Sequence, residues 1–134
     1  MITNVLTKIF RSTRIGLKGL RHAYRVDKSF RMEINYGLPI YVVLGWYLCP
    51  LYTWELLLYV FSYFLILVVE LINTAFEKML DRVHPEEHEL IGKSKDIASA
   101  AVLLTFVFAA IVVGTLLSLR VTHGVNVSVE QFFV

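Results

Sequence analysis

The sequence predicts an all-α integral membrane protein in which three transmembrane helices follow an amphipathic helix lying on the membrane surface. Three observations carry that reading. The 134 residues are 57% hydrophobic and 18% charged, against roughly 45–50% and about 25% in an average soluble domain, and the mean hydropathy is +0.63. The charges fall in blocks that leave three long apolar runs, and the basic residues crowd to one side of those runs. Soluble, disordered and collagen-like chains do not have this balance. The net charge of +2 is too small to mark a nucleic-acid partner, and none is expected. The single Cys49 excludes an internal disulfide and a four-cysteine zinc site.

Residues 1–33 are predicted to form the surface element. Lys8, Arg11, Arg14, Lys18, Arg21 and Arg25 recur at three- or four-residue steps, while Leu6, Ile9, Thr13, Leu17, Leu20 and Tyr24 occupy another helical face. Such a helix lies along the bilayer, with its cations near anionic headgroups and its apolar side among acyl chains. This basic stretch precedes any long apolar run, so no cleavable signal peptide is expected.

Residues 34–119 hold the three predicted spans, at about 34–52, 54–76 and 97–119. Ile97–Leu119 is 23 residues without a charge, longer than the roughly 20 a helix needs to cross about 30 Å of hydrocarbon. Leu56–Val69 is charge-free and reaches spanning length with Trp54, Glu55, Glu70, Leu71 and Ile72. Ile34–Tyr52 is apolar apart from Asn35, and Pro39 is its one poor helix former. Lipid offers backbone groups no partner outside a helix or closed barrel, so helices are the economical solution. The basic residues before the first span, together with Lys78, Arg82, Lys93 and Lys95 between the second and third, put both segments in the cytoplasm. Residues 120–134 form the outer tail, in which Val125, Val127 and Val129 alternate like a short strand. Trp46, Tyr47, Tyr52 and Trp54 read as an interfacial aromatic belt.

An acidic cluster marks the cytoplasmic membrane edge. Glu70 ends an apolar run, where an ionised carboxylate is costly and normally kept for a function. Glu70, Asn73, Glu77 and Asp81 follow at steps of three, four and four residues and share one helical face. A helix merely emerging into water accounts for a solvated Asp81 and not for Glu70. Carboxylates and an amide oxygen suit Mg²⁺, above all when phosphate oxygens complete its shell. Two other patterns nearby are decoys. Gly92-Lys93-Ser94 imitates the end of a P-loop, but Glu87 stands where the first glycine belongs. His84 and His88 flank Pro85-Glu86-Glu87 and lack the order of a zinc protease. Hard-cation ligands, nearby lysines and a membrane-edge position together point to phosphoryl transfer to a lipid. A small proton-coupled transporter would also keep Glu70 but has no need of Asn73, Glu77, Lys95 and Asp96.

Glu70-Leu-Ile-Asn73-Thr-Ala-Phe-Glu77-Lys-Met-Leu-Asp81, followed by His88-Glu89-Leu-Ile-Gly92-Lys-Ser-Lys95-Asp96-Ile-Ala-Ser99-Ala-Ala, closely resembles the signature of the prokaryotic diacylglycerol kinase family. That family includes the undecaprenol kinases. Weaker similarity runs through Lys18-Gly19-Leu20-Arg21 and Phe30-Arg31. The resemblance implies a homotrimer in the bacterial inner membrane, with active sites shared between neighbouring subunits and using MgATP and a lipid. It implies Glu70 as general base, Glu77 and Asp27 as Mg²⁺ ligands, and Asn73 in support. It further implies that Lys8, Glu86, Glu87, His88, Lys95 and Asp96 join Asp27 and Glu77 around ATP. Arg21, His22, Ala23, Tyr24, Ser29, Phe30, Arg31, Met32, Glu33 and Ser99 would line the lipid with Glu70. One departure stands out: Val26-Asp27 replaces the family's usual Asn-Glu, so the second metal carboxylate sits on a shorter arm. The His88-Glu89-Leu90 and Ser99-Ala100-Ala101 segments resemble the diacylglycerol branch more than the undecaprenol one.

Overall fold

The computed structural model describes the backbone of residues 2–83 and 88–132 and the side chains of 5–83 and 88–122. Every element among them is helical: α1 Ile2–Val26, α2 Lys28–Met32, a π-turn Glu33–Gly37, α3 Leu38–Leu48, α4 Thr53–Val83 and α5 Glu89–Phe132. Two helices, α4 and α5, are long and apolar enough to cross a membrane.

The expected surface helix over 1–33 is divided at Asp27. Asp27 is extended (φ −103°, ψ 125°) and its side chain accepts the Phe30 N–H, which makes it the N-cap of α2. Aspartate favours this position because its short carboxylate reaches the free amides of the first turn. Arg31 then donates to the Arg25 carbonyl at 3.4 Å, covering one of the open acceptors at the end of α1. From Lys28 the backbone stays helical through the π-turn to Leu48, about 31 Å at 1.5 Å per residue. It stops at Leu48 because Pro50 has no N–H for the ladder and forces Cys49 into an extended conformation, φ −66° and ψ 147°.

α4 and α5 form the main pair, and α3 packs against it. Leu48, Tyr59, Val112 and Leu116 make one buried cluster; Tyr63, Ile66 and Ala109 make the next, towards the Glu70 end of α4. Small residues let the helices approach. Ser62 is fully buried, and a Cβ on Gly45 would stand only 3.0 Å from Tyr59 Cε1. A chain of hydroxyls links α3 to α4: Tyr41 and Ser62 share a 2.7 Å hydrogen bond, and Tyr59 donates to the Tyr41 carbonyl at 2.6 Å. Outside this seam Phe61, Phe64, Leu103, Leu104 and Ile111 are exposed, the arrangement expected when the solvent is itself apolar.

At its start α4 carries half a capping box, in which buried Glu55 accepts the Tyr52 N–H at 2.8 Å. About twenty residues suffice for the hydrocarbon thickness, and α4 has 31, so it is longer than a crossing requires. α5 continues past the predicted end of the third span, and the alternating valines of the tail lie in helix. No proline interrupts that stretch, and extending an existing helix needs no new nucleus.

Candidate active site

The helical spacing of α4 sets the site. Glu55, Tyr59, Ser62, Tyr63, Ile66, Glu70, Asn73 and Thr74 are its buried residues, and they form one continuous face. Glu70 is only 3% exposed. Thr74 donates to the Glu70 carbonyl at 2.9 Å, and Asn73 Nδ2 donates to Glu77 Oε1 at 3.2 Å. That bond orients the Asn73 amide and leaves its Oδ1 buried without a partner, an open acceptor beside a carboxylate.

The second contribution comes from the turn at the start of α2. Ser29 lies across from the Glu70 carboxylate, and the charges of Asp27 and Glu77 act on Glu70 as well. Glu33 in turn feels Glu70 and Asp27. Five of the predicted residues, Asp27, Ser29, Glu33, Glu70 and Glu77, are thus gathered by the meeting of α2, the π-turn and α4. Asp27 Oδ1 is engaged with Phe30 N at 2.6 Å, so its second oxygen is the one available to a ligand.

At the far end of α4, Asp81 is paired with Lys95 of α5. The hydrogen bond from Lys95, with its positive charge, holds the Asp81 carboxyl below the usual carboxylate range. Hydrogen bonding to Asp81 raises Lys95 correspondingly, and Glu77 adds to that effect. Asp81 is therefore a partner of Lys95 and not the free solvated residue its position suggested. Lys95 is brought to the Glu77 end of the cluster.

Other predicted residues stand further off or are otherwise engaged. Lys8 is exposed, about 28 Å along α1 from Asp27. Asp96 and Ser99 are exposed on α5, as are Arg21, His22 and Met32 on α1 and α2. Phe30 is buried at 3% exposure. Tyr24 donates its hydroxyl to Asn35 Oδ1 at 2.9 Å. His88 accepts the Leu90 N–H at the start of α5, and Glu86 and Glu87 lie outside the described residues, with His84. Gly92-Lys93-Ser94 is inside α5, with Ser94 donating to Leu90, so it forms no phosphate loop.

Beside the cluster, α1 and α4 enclose an open groove of about 410 Å³. Gly16, Gly19, Leu20 and Ala23 line one wall, and Leu71 and Ala75 the other. Its walls are mainly apolar, and Thr74, Lys78 and His22 bring the polar atoms.

Among the described residues no three His, Cys, Asp or Glu side chains converge closely enough to chelate an ion unaided. The donor set is nevertheless that of a hard cation: carboxylate oxygens of Glu77 and Asp27, and the open Asn73 Oδ1. Mg²⁺ ordinarily takes one or two carboxylates and completes its shell with water and substrate phosphates, so these residues fit it.

Sequence reasoning missed Tyr63 and Asn35. Tyr63 donates to the Glu33 carbonyl at 2.7 Å. Its signal was available: it stands seven residues before Glu70, two turns up the same face.

The sequence model of the family described as "Prokaryotic diacylglycerol kinase" matches residues 14–117. A diacylglycerol kinase of Escherichia coli (strain K12) is 37% identical over 109 residues, 81% of this chain and 88% of the relative. That of Haemophilus influenzae is 35% identical over 115 residues, 86% and 96%. One from Helicobacter pylori is 33% identical over 107 residues, 80% and 82%. The match covers the second half of α1, the acidic face of α4 and α5 as far as residue 117, and the chain belongs to the prokaryotic diacylglycerol kinase family.

Proposed function

We propose that this membrane lipid kinase transfers the γ-phosphate of ATP to the hydroxyl of diacylglycerol, giving phosphatidate and ADP. The observation that carries the reading is a nearly inaccessible carboxylate, Glu70, at the end of an apolar helix, facing Ser29 and Asp27 and close to a largely apolar groove.

In this reading the acyl chains lie against α1 and α4 and the hydroxyl approaches Glu70. Glu70 takes the hydroxyl proton as that oxygen bonds to the γ-phosphorus and the bond to the β,γ-bridging oxygen breaks. Ser29 orients the Glu70 carboxylate. Glu77 and the free oxygen of Asp27 would hold Mg²⁺, which when bound neutralises charge on the phosphates. Asn73 keeps Glu77 in place through its 3.2 Å hydrogen bond. Lys95, already near Glu77, exchanges Asp81 for a phosphate oxygen.

Three spans in a homotrimer, with the N-terminus in the cytoplasm of a bacterial inner membrane, complete the proposal. The unbroken helical path from Lys28 to Leu48 is long enough for the first span. The basic residues of α1 and of the α4–α5 connection support the orientation. The exposed face of α4 at Leu57, Phe61 and Phe64 offers an apolar surface to a neighbouring subunit.

The test is phosphorylation by purified protein in mixed micelles with radiolabelled ATP, each lipid offered in turn. Glu70→Gln removes a proton acceptor and little volume, and turnover should fall by about 10²–10⁴-fold with MgATP binding retained. A variant keeping half the parent turnover would remove Glu70 from the role of base.

A further inference from the structure

We infer that Tyr63 is a positioning residue for the lipid kinase reaction: its hydroxyl pins the π-turn Glu33–Gly37 to α4 and so fixes the Asp27–Glu33 turn in register with Glu70. The inference rests on the assignment of Asp27 and Glu70 proposed above.

In a regular α-helix the Glu33 carbonyl would accept the N–H of Gly37; here it accepts that of Leu38, five residues on. The extra residue rotates everything before the turn by about 100° relative to α3. That rotation decides which side of the Asp27–Glu33 segment meets Glu70. Tyr63, 6% exposed, supplies the Glu33 carbonyl with a second donor at 2.7 Å. Its ring is held laterally by Tyr41, with centroids 4.8 Å apart. Gly37 makes the approach possible, since a Cβ there would stand 3.2 Å from Tyr63 Oη. The far side of the turn is tied to α1 by the Tyr24 hydroxyl on Asn35. Glu33 itself has Oε2 buried without a hydrogen-bond partner. The turn is therefore held through its backbone and through Asn35, with the Glu33 carboxylate left to the site. Without the tyrosine hydroxyl, the α-helical register becomes a competitor, and it would swing Asp27 and Ser29 away from Glu70.

The experiment uses the full chain in mixed micelles. Tyr63→Phe is expected to lower kcat three- to tenfold, the scale of one neutral hydrogen bond at about 0.5–1.5 kcal/mol. It should also raise the Mg²⁺ concentration for half-maximal activity, because Asp27 moves with the turn. Amide hydrogen exchange at Leu38 should speed up. A tyrosine that only fills space is replaced by phenylalanine without loss, so kcat, half-activation and exchange would all stay put, and that result overturns the inference. Gly37→Ala gives a second arm. It should lower kcat in the parent but not in the Tyr63→Phe background, where the nearest remaining tyrosine atom is 3.7 Å from the new Cβ; equal losses in both backgrounds overturn the inference. Asp27→Asn is measured alongside. If that variant leaves Mg²⁺ half-activation unchanged, the metal assignment fails separately, and Tyr63 is judged on the glycine pair and on exchange.

Discussion

Asp27 carries two duties that substitution can separate. One oxygen caps α2 by accepting the Phe30 N–H at 2.6 Å; the other is the proposed second Mg²⁺ ligand. Asparagine caps a helix about as well as aspartate but lacks the charge, whereas glutamate keeps the charge and is a poor cap. Asp27→Asn should therefore change unfolding stability by less than about 0.5 kcal/mol and weaken MgATP affinity, with lipid affinity little changed. Asp27→Glu lengthens that arm by about 1.5 Å by single-bond geometry. It should cost about 1 kcal/mol of stability, the typical value of a cap, roughly a fivefold change in the folding equilibrium. Denaturant unfolding followed by circular dichroism gives the stability, and Mg²⁺ and ATP titrations of turnover give the affinities. The reasoning is refuted if Asp27→Asn loses a full kcal/mol while its Mg²⁺ dependence matches the parent. Asp27 would then be a cap whose charge matters to folding alone.

Two further outcomes follow from the same geometry. Glu77→Gln should raise the Mg²⁺ requirement, since an amide is a poorer ligand for a hard cation; an unchanged requirement would leave Glu77 only as the partner of Asn73. The Asp81–Lys95 pair should hold across the neutral range, with an opposite sign at each end. Asp81 is depressed by its hydrogen bond from Lys95, so its contribution is present above the unfolded value of about 3.9 and fades as pH falls through the lower folded value. Lys95 is raised by its hydrogen bond to Asp81, so its contribution is present below about 10.4 and fades as pH rises through the higher folded value. A carbon-13 titration of the Asp81 carboxyl with a midpoint at or above 3.9 would show that the pair does not form in solution.

The long apolar runs were legible because membrane-crossing helices announce themselves by length and freedom from charge, and α4 and α5 occupy the expected places. The face of Glu70, Asn73 and Glu77 was legible because helical spacing leaves no freedom in their relative placement. The division of the surface element at Asp27 was harder. Its N-cap signal, an aspartate just before Lys28-Ser29-Phe30 and an apolar run, falls on the residue that the resemblance implies as a metal ligand. The π-turn was not legible at all. Its extra residue leaves no mark in hydropathy, and it depends on Tyr63 and Gly37, which are 26 positions apart. The Asp81–Lys95 pair escaped notice because it joins two helices whose registry only their packing decides.

These differences bear on how the site becomes complete. Glu70, Asn73 and Glu77 ride on one helix and keep their spacing. Asp27, Ser29 and Glu33 arrive on a short segment bounded by a cap and a π-turn, and Lys95 arrives on α5 already paired. Among the described residues the chain has no three-ligand cage, yet it gathers carboxylates that repel one another, with Glu70 facing Asp27 and Glu77. A divalent ion bound together with phosphate oxygens would relieve that repulsion, with Glu77 and Asp27 holding it. The proposed metal site is accordingly one that MgATP completes as a unit. Free Mg²⁺ would find only part of a shell there, with the Asp27 segment held in register by its cap and by the Tyr63 hydroxyl.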